Sequence, residues 1–113
     1  MFLIAVVLFM EDPPQRWVQV GGGTGLSEEY LDKASIRRSG DKVTLWTRRD
    51  FPLDRGTSWN ELEIDCSTRT QSILAFIRDD GGTISHNVTR PHRGASPILP
   101  DSVEERIFHI ACR

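Results

Sequence analysis

The sequence predicts a small α+β domain in which a twisted antiparallel sheet is followed by a single C-terminal helix. Two observations support this prediction. Along most of the chain, short alternating or apolar runs are separated by turn residues, as in antiparallel sheets. The last part of the chain instead repeats its apolar residues with the helical period. At 113 residues, the chain is expected to form one domain with a thin margin of stability.

The predicted sheet has short strands joined by tight turns. Ser39-Gly40-Asp41 and Asp79-Asp80-Gly81-Gly82 predict hairpin turns. The stretch 50–60 contains Pro52, Gly56 and several polar residues, and it is therefore predicted to be a connecting loop. The segments with the pattern of strands are 16–20, 30–38, 42–49, 61–66, 70–78 and 83–89.

Two of these strands indicate where the core lies. In the strand 61–66, Leu62, Ile64 and Cys66 share one face, which is therefore predicted to point into the core. The neighbouring strand 70–78 is apolar on both faces, so it is predicted to be a central strand covered on both sides.

A helix is predicted over Ser102–Cys112. Asp101 or Ser102 can cap its N-terminus, and Glu104 or Glu105 three residues later completes a capping box. The apolar arc along this helix, which Phe108 and Cys112 extend, consists of Val103, Ile107, Ile110 and Ala111. The arc is expected to pack on the sheet face that carries Leu62, Ile64 and Cys66, and the two cysteines would then be within reach of each other.

The two cysteines leave two interpretations open. An even number of cysteines in a short chain fits a disulfide and export to an oxidising compartment. Two unrelated buried thiols in a cytosolic protein fit the count equally well. If Cys66 and Cys112 are joined, closing a loop of roughly 46 residues stabilises the fold by about 4 kcal/mol.

The N-terminal residues 1–15 are predicted to be a partial or truncated export signal. Met1–Met10 is apolar throughout, which matches the apolar part of a secretory signal and is too short to span a bilayer. The basic start and the small-residue cleavage site of such signals are missing, and no cysteine follows that could carry a lipid anchor. The alternative is an edge strand or an internal apolar segment.

Charge and motifs exclude several classes of function. The net charge of −2 argues against nucleic acid as a partner. No serine lies in a nucleophile motif, and no cofactor is expected. A small periplasmic metal-binding protein or enzyme is the rival hypothesis. It would use His86 and His92 with the turn residues Asp79 and Asp80, although the histidine spacing fits no standard zinc pattern.

A protein-binding surface is the preferred functional prediction. Trp46, Arg48, Arg49 and Trp59 are its candidate residues, because Trp and Arg are over-represented at binding hot spots. The alternative is that the two tryptophans belong to the core. An open sheet edge would also accept another strand, giving a homodimer or peptide addition.

Several short motifs follow one another in a specific order from Trp17 to the end of the chain. They are Trp17-Val18, Asp32-Lys33-Ala34-Ser35-Ile36, Val43-Thr44-Leu45-Trp46, Glu63-Ile64-Asp65-Cys66, Ile98-Leu99-Pro100-Asp101-Ser102 and Ala111-Cys112. In order and spacing, the chain resembles the bacterial surface-adhesin protein E family. The resemblance covers nearly everything after residue 16.

The resemblance implies a non-enzymatic exported domain over residues 16–113, in the periplasm or on the cell surface. It implies about six strands, with the C-terminal helix on the concave face and a disulfide between Cys66 and Cys112. It also implies host or cell-envelope proteins as partners, such as laminin, vitronectin or plasminogen. A lysine-rich binding segment is missing, because the chain has only Lys33 and Lys42. An inhibitor-like module is a further alternative, by analogy of fold.

Overall fold

A computed structural model describes residues 16–22, 27–51, 56–82, 84–89 and 94–113, with 84–89 described by its backbone. Their main element is an antiparallel sheet that curls into a half-barrel. The first six strands are neighbours in chain order, and β7 pairs with β5. The elements are β1 (Trp17–Gly22), β2 (Glu28–Ser39), β3 (Lys42–Phe51), β4 (Gly56–Asp65), β5 (Thr70–Asp80), β6 (Ile84–Thr89), β7 (Ser96–Pro97) and α1 (Val103–Ala111).

The described part of the chain is mostly β, so the expected α+β class holds only loosely. The prediction of a loop over 50–60 is wrong for residues 50–51 and 56–60, whereas residues 52–55 are not described. Strand β3 continues to Phe51, and β4 already begins at Gly56. The prediction failed because the polar residues of 56–60 suggested a loop, whereas their backbone pairs with β3 on one side and β5 on the other.

Strand β5 also differs from its prediction as a strand covered on both faces. Ile73 pairs with Leu62 and Ala75 pairs with Glu61, so Leu74 between them forms a β-bulge. The alternation of faces along β5 shifts at this bulge. Of the described residues in β5, Ala75 is buried, whereas Ile73 is 39% exposed. Strand β5 is therefore only partly covered.

The core lies between α1 and one face of the sheet. On β3 and β4, the pairs Val43 with Ile64 and Leu45 with Leu62 stand side by side on this face. We call it the helix-side face, and we call the opposite face, which carries Trp46 and Trp59, the far face. The buried cluster consists of Val20, Leu31, Val43, Leu45, Leu62, Ile64, Ile98, Ile107 and Ala111.

A large bulge interrupts β2 after Asp32. Residues 33–36 have no partner in the register with β3, where Leu45 lies opposite them. Asp32 Oδ1 accepts a hydrogen bond from the backbone N–H of Ala34 at 3.0 Å. The Ser35 hydroxyl donates to the Asp32 carbonyl at 2.7 Å and accepts from the Trp46 N–H at 2.8 Å. The small polar residues of this segment thus replace the missing ladder bonds.

Gly21 allows the helix to approach β1 closely. A Cβ atom at this position would lie 2.6 Å from Val103 Cγ2, well inside van der Waals contact. Glycine is therefore required here by the packing of the first helical turn against the edge strand.

The helix begins with a modified capping box. Ser102 is the N-cap, and its hydroxyl accepts a hydrogen bond from the Glu105 N–H at 3.1 Å. The Glu105 carboxylate in turn accepts from the Asp101 N–H at 2.9 Å, one residue before the usual position. The Ser102 and Glu105 register of the two predicted alternatives is therefore the one adopted.

Four ties hold α1 against the sheet besides its apolar contacts. Cys66, which directly follows β4, forms a disulfide with Cys112 with a Cα–Cα distance of 5.6 Å. Arg106 donates to the Val20 carbonyl of β1 at 2.7 Å, and Arg38 of β2 donates to the Ala111 carbonyl at the helix C-terminus. The Arg69 guanidinium lies 2.6 Å from the Glu105 carboxylate. The helix is thus tied to β1 and β2 at one end of the half-barrel and to the connection between β4 and β5.

Glu105 makes the attachment of the helix dependent on pH. The hydrogen bond from the Asp101 N–H and the charge of Arg69 hold the pKa of Glu105 below its ordinary value. A carboxylate whose pKa is lowered in the folded state stabilises the fold fully above its unfolded-state pKa of about 4.3. This stabilisation is lost as the pH falls through the folded-state pKa. We expect the free energy of unfolding to fall below about pH 4.3, and to fall less steeply in Glu105→Gln.

The measurement is chemical unfolding of both proteins at a series of pH values from neutral to acid. Some acid dependence remains in the variant, because hydrogen bonds from Ser67 and Thr68 also lower the pKa of Asp65. Parallel curves for the two proteins would show that Glu105 does not contribute.

Candidate protein-binding surface

The far face carries a row of large side chains that crosses four strands. Tyr30 of β2 pairs with Arg48 of β3, Arg48 with Trp59 of β4, and Trp59 with Ile77 of β5. Residues directly opposite each other on neighbouring strands are close enough for their side chains to interact. All four are half-buried, which leaves part of each side chain at the surface.

Arg48 lies at the centre of this row and is held on several sides. Its guanidinium carbon is 4.6 Å from the centre of the Trp17 ring and 4.8 Å from that of Tyr30. Its Nε atom is 3.2 Å from an Asp50 carboxylate oxygen, in the geometry of an ion pair and not of a hydrogen bond. These cation–π contacts and the ion pair fix the arginine in one position at the surface.

Trp46 lies beside this row, two residues before Arg48 on the same face of β3. It is half-buried and pairs with Asp32 of β2 and Glu61 of β4. Both predicted tryptophans therefore lie on the far face, away from the core between the sheet and α1. We call the whole group the far-face strip; its members are Trp17, Tyr30, Trp46, Arg48, Trp59 and Ile77.

Tyr30 is also tied to its own strand. Its hydroxyl donates to the Glu28 carboxylate at 2.9 Å. This hydrogen bond, with burial and the nearby negative charges, raises the pKa of Tyr30 above its ordinary value. The ring therefore stays neutral under physiological conditions.

Arg49, the fourth predicted residue, lies on the opposite face. Successive residues of a strand point to opposite sides, so Arg48 and Arg49 cannot share a face within regular β3. Arg49 Nη2 is 2.7 Å from a carboxylate oxygen of Glu29, a buried residue of β2. The structure thus brings together three of the predicted residues and places Arg49 on the helix-side face.

Sequence reasoning did not select Trp17, Tyr30 or Ile77. Their membership depends on the register between strands, and a single sequence does not specify it. The signal that was available is the alternation within each strand, which places Trp46 with Arg48 on one face.

The rival metal site has no support among the described residues. Within them, no group of three His, Cys, Asp or Glu side chains is arranged to hold a metal ion. His92 lies outside the described residues, and His86 is described by its backbone.

The fold and this surface define a small, disulfide-linked β domain with an aromatic strip on the sheet face opposite its helix. The chain belongs to the surface-adhesin protein E family, whose model matches residues 17–113. No curated protein and no solved structure matches the chain. Within the described ranges, none of the helical structure is long and apolar enough to cross a membrane.

Proposed function

We propose that the protein is an exported, non-enzymatic domain that binds other proteins through the far-face strip. The observation that carries the proposal is the row of Tyr30, Arg48 and Trp59, which is partly exposed on the face opposite the helix. Membership in a family of surface adhesins supports a binding role.

The composition of the strip fits a binding hot spot. Trp, Tyr and Arg are the residues that contribute most to binding free energy in protein interfaces. Arg48 is already held between two rings, so little side-chain entropy is lost when a partner covers it. Host or cell-envelope proteins are the proposed partners.

Export is the second part of the proposal. The Cys66–Cys112 disulfide fits an oxidising compartment, and the family is one of surface proteins. In the native cells we expect thiol-blocking reagents added at lysis to leave both cysteines unmodified until a reductant is added. Labelling of both thiols without reductant would contradict export.

Homodimerisation through a sheet edge is a further proposal. Strands β1 and β6 lie at the two ends of the strand order. On β1, the Val20 carbonyl already accepts from Arg106, and a bulge interrupts the register there. Strand β6 is therefore the edge we propose for pairing with a second copy.

The binding proposal predicts large effects of Trp59→Ala and Arg48→Ala. In surface plasmon resonance with immobilised laminin, vitronectin and plasminogen, each substitution is expected to weaken binding about 30-fold, as hot-spot residues do. The reason is that each removes a central contact of the strip.

Arg37→Ala is the matched control, because Arg37 is exposed and bonds to backbone carbonyls of its own strand. Its affinity should equal that of the unmodified protein. Circular dichroism checks that all variants are folded. Equal affinities for all variants would place the binding surface elsewhere.

A further inference from the structure

The helix-side face contains a cavity of about 380 Å³ that the helix does not fill. It is bordered by Glu104 and Ile107 of α1 and extends along β5 from Gln71 to Arg78. At about 3.3 Å per residue, this distance is roughly 20 Å. The cavity is thus an elongated cleft beside the helix, on the face opposite the far-face strip.

Two polar atoms in this cleft lack partners. The Thr47 side chain is 1% exposed, and its hydroxyl has no hydrogen-bond partner among the described residues. The side-chain oxygen of Gln71, at the far end of the cleft, is also buried and has no hydrogen-bond partner in the described part of the chain. Buried polar groups are nearly always bonded, so these two indicate that a ligand with donor groups completes the site.

The charged groups in the cleft argue against an anionic ligand. Arg49 is paired with Glu29 at 2.7 Å, and Arg78 is paired with Asp80 at 2.7 Å. The Arg78 guanidinium also lies 4.8 Å from the centre of the Phe51 ring. Since both cations already have carboxylate partners, an anionic ligand would have to compete for them.

Besides Glu104 on the helix border, the other lining residues are hydroxyls, amides and apolar side chains. Ser58 and Asn60 lie on the floor, beside Ile73 and Phe76. A sugar ring needs both kinds of contact, because it carries hydroxyls around its rim and C–H groups on its faces. A peptide strand is a poorer match, because the β4 backbone beneath the cleft is already paired on both sides.

We propose that this cleft binds a short, neutral oligosaccharide segment, with Thr47 and Gln71 forming hydrogen bonds to its hydroxyl or amide groups. The size of the cleft falls in the range of ligand-binding pockets, about 300–1,000 Å³. The sheet backbone need not change; because the Thr47 and Gln71 oxygens are buried, their side chains turn toward the ligand on binding.

The test is titration of the oxidised, full-length protein with maltotriose and with N,N′,N″-triacetylchitotriose, followed by NMR. We expect at least one of them to shift the amide resonances around Thr47, Asn60 and Gln71. Thr47→Val should weaken this binding about fivefold, the value of one neutral hydrogen bond. The melting temperature should not fall, because the hydroxyl has no partner in the described protein.

Thr44→Val is the matched control, since Thr44 lies on β3 but on the far face. Its saccharide affinity should be unchanged. Gln71→Leu is the second variant if Thr47→Val does not fold, and it should also weaken binding. The proposal is overturned if neither saccharide shifts these resonances, if triglycine binds in their place, or if Thr47→Val and Gln71→Leu bind like Thr44→Val. None of these results depends on the far-face strip.

Discussion

Replacing both Cys66 and Cys112 by alanine is expected to lower the free energy of unfolding by about 4 kcal/mol. The disulfide joins residues 46 positions apart, so without it the unfolded chain regains the entropy of a long open loop. In a domain of 113 residues this is a large share of the total stability. Guanidinium unfolding of the oxidised parent and of the variant measures the difference.

Dithiothreitol provides the control for this prediction. It should lower the unfolding midpoint of the unmodified protein and leave the double variant unchanged, because the variant has no cysteines left to reduce. If the double variant unfolds at the same guanidinium concentration as the oxidised parent, the disulfide does not stabilise the fold.

Ile107→Ala is expected to cost about 3 kcal/mol. Ile107 is 1% exposed and lies in the buried cluster between α1 and the sheet. The substitution removes its apolar contacts and leaves a cavity that the surrounding strands cannot fill, because their backbones are paired on both sides. Unfolding followed by circular dichroism measures the loss.

His109→Ala is the matched control in the same helix. The His109 side chain is 64% exposed, so its removal should change the free energy of unfolding by less than about 0.5 kcal/mol. Similar losses in the two variants would mean that helix propensity, and not packing on the sheet, determines the effect.

The attachment of the helix was largely predictable from the sequence. The spacing of Ile107 and Ala111 placed the apolar arc, and Ser102 with Glu105 gave one of the two capping registers. These features are local, because they depend on residues within a few positions of each other. The alternation of Leu62 and Ile64 likewise identified the sheet face on which the helix packs.

The bulges and the strand over 56–60 could not be predicted from such local patterns. The bulge after Asp32 depends on side chains that replace the hydrogen bonds between β2 and β3. Leu31 and Ile36 both contact the core although they are five positions apart, a spacing that would place them on opposite faces of a regular strand. The strand over 56–60 is stabilised by backbone pairing with two neighbours, which its own polar side chains do not indicate.

The position of the disulfide has a mechanical consequence for a protein of an adhesin family. When the chain is pulled from a point before Cys66 and from Arg113, the load passes through the S–S bond, because Cys112 is covalently joined to Cys66. Tension therefore bypasses residues 67–111, which include β5 and α1. Under such a pull, the strands before Cys66 would carry the force, and the cleft beside the helix would lose its β3 and β4 walls first.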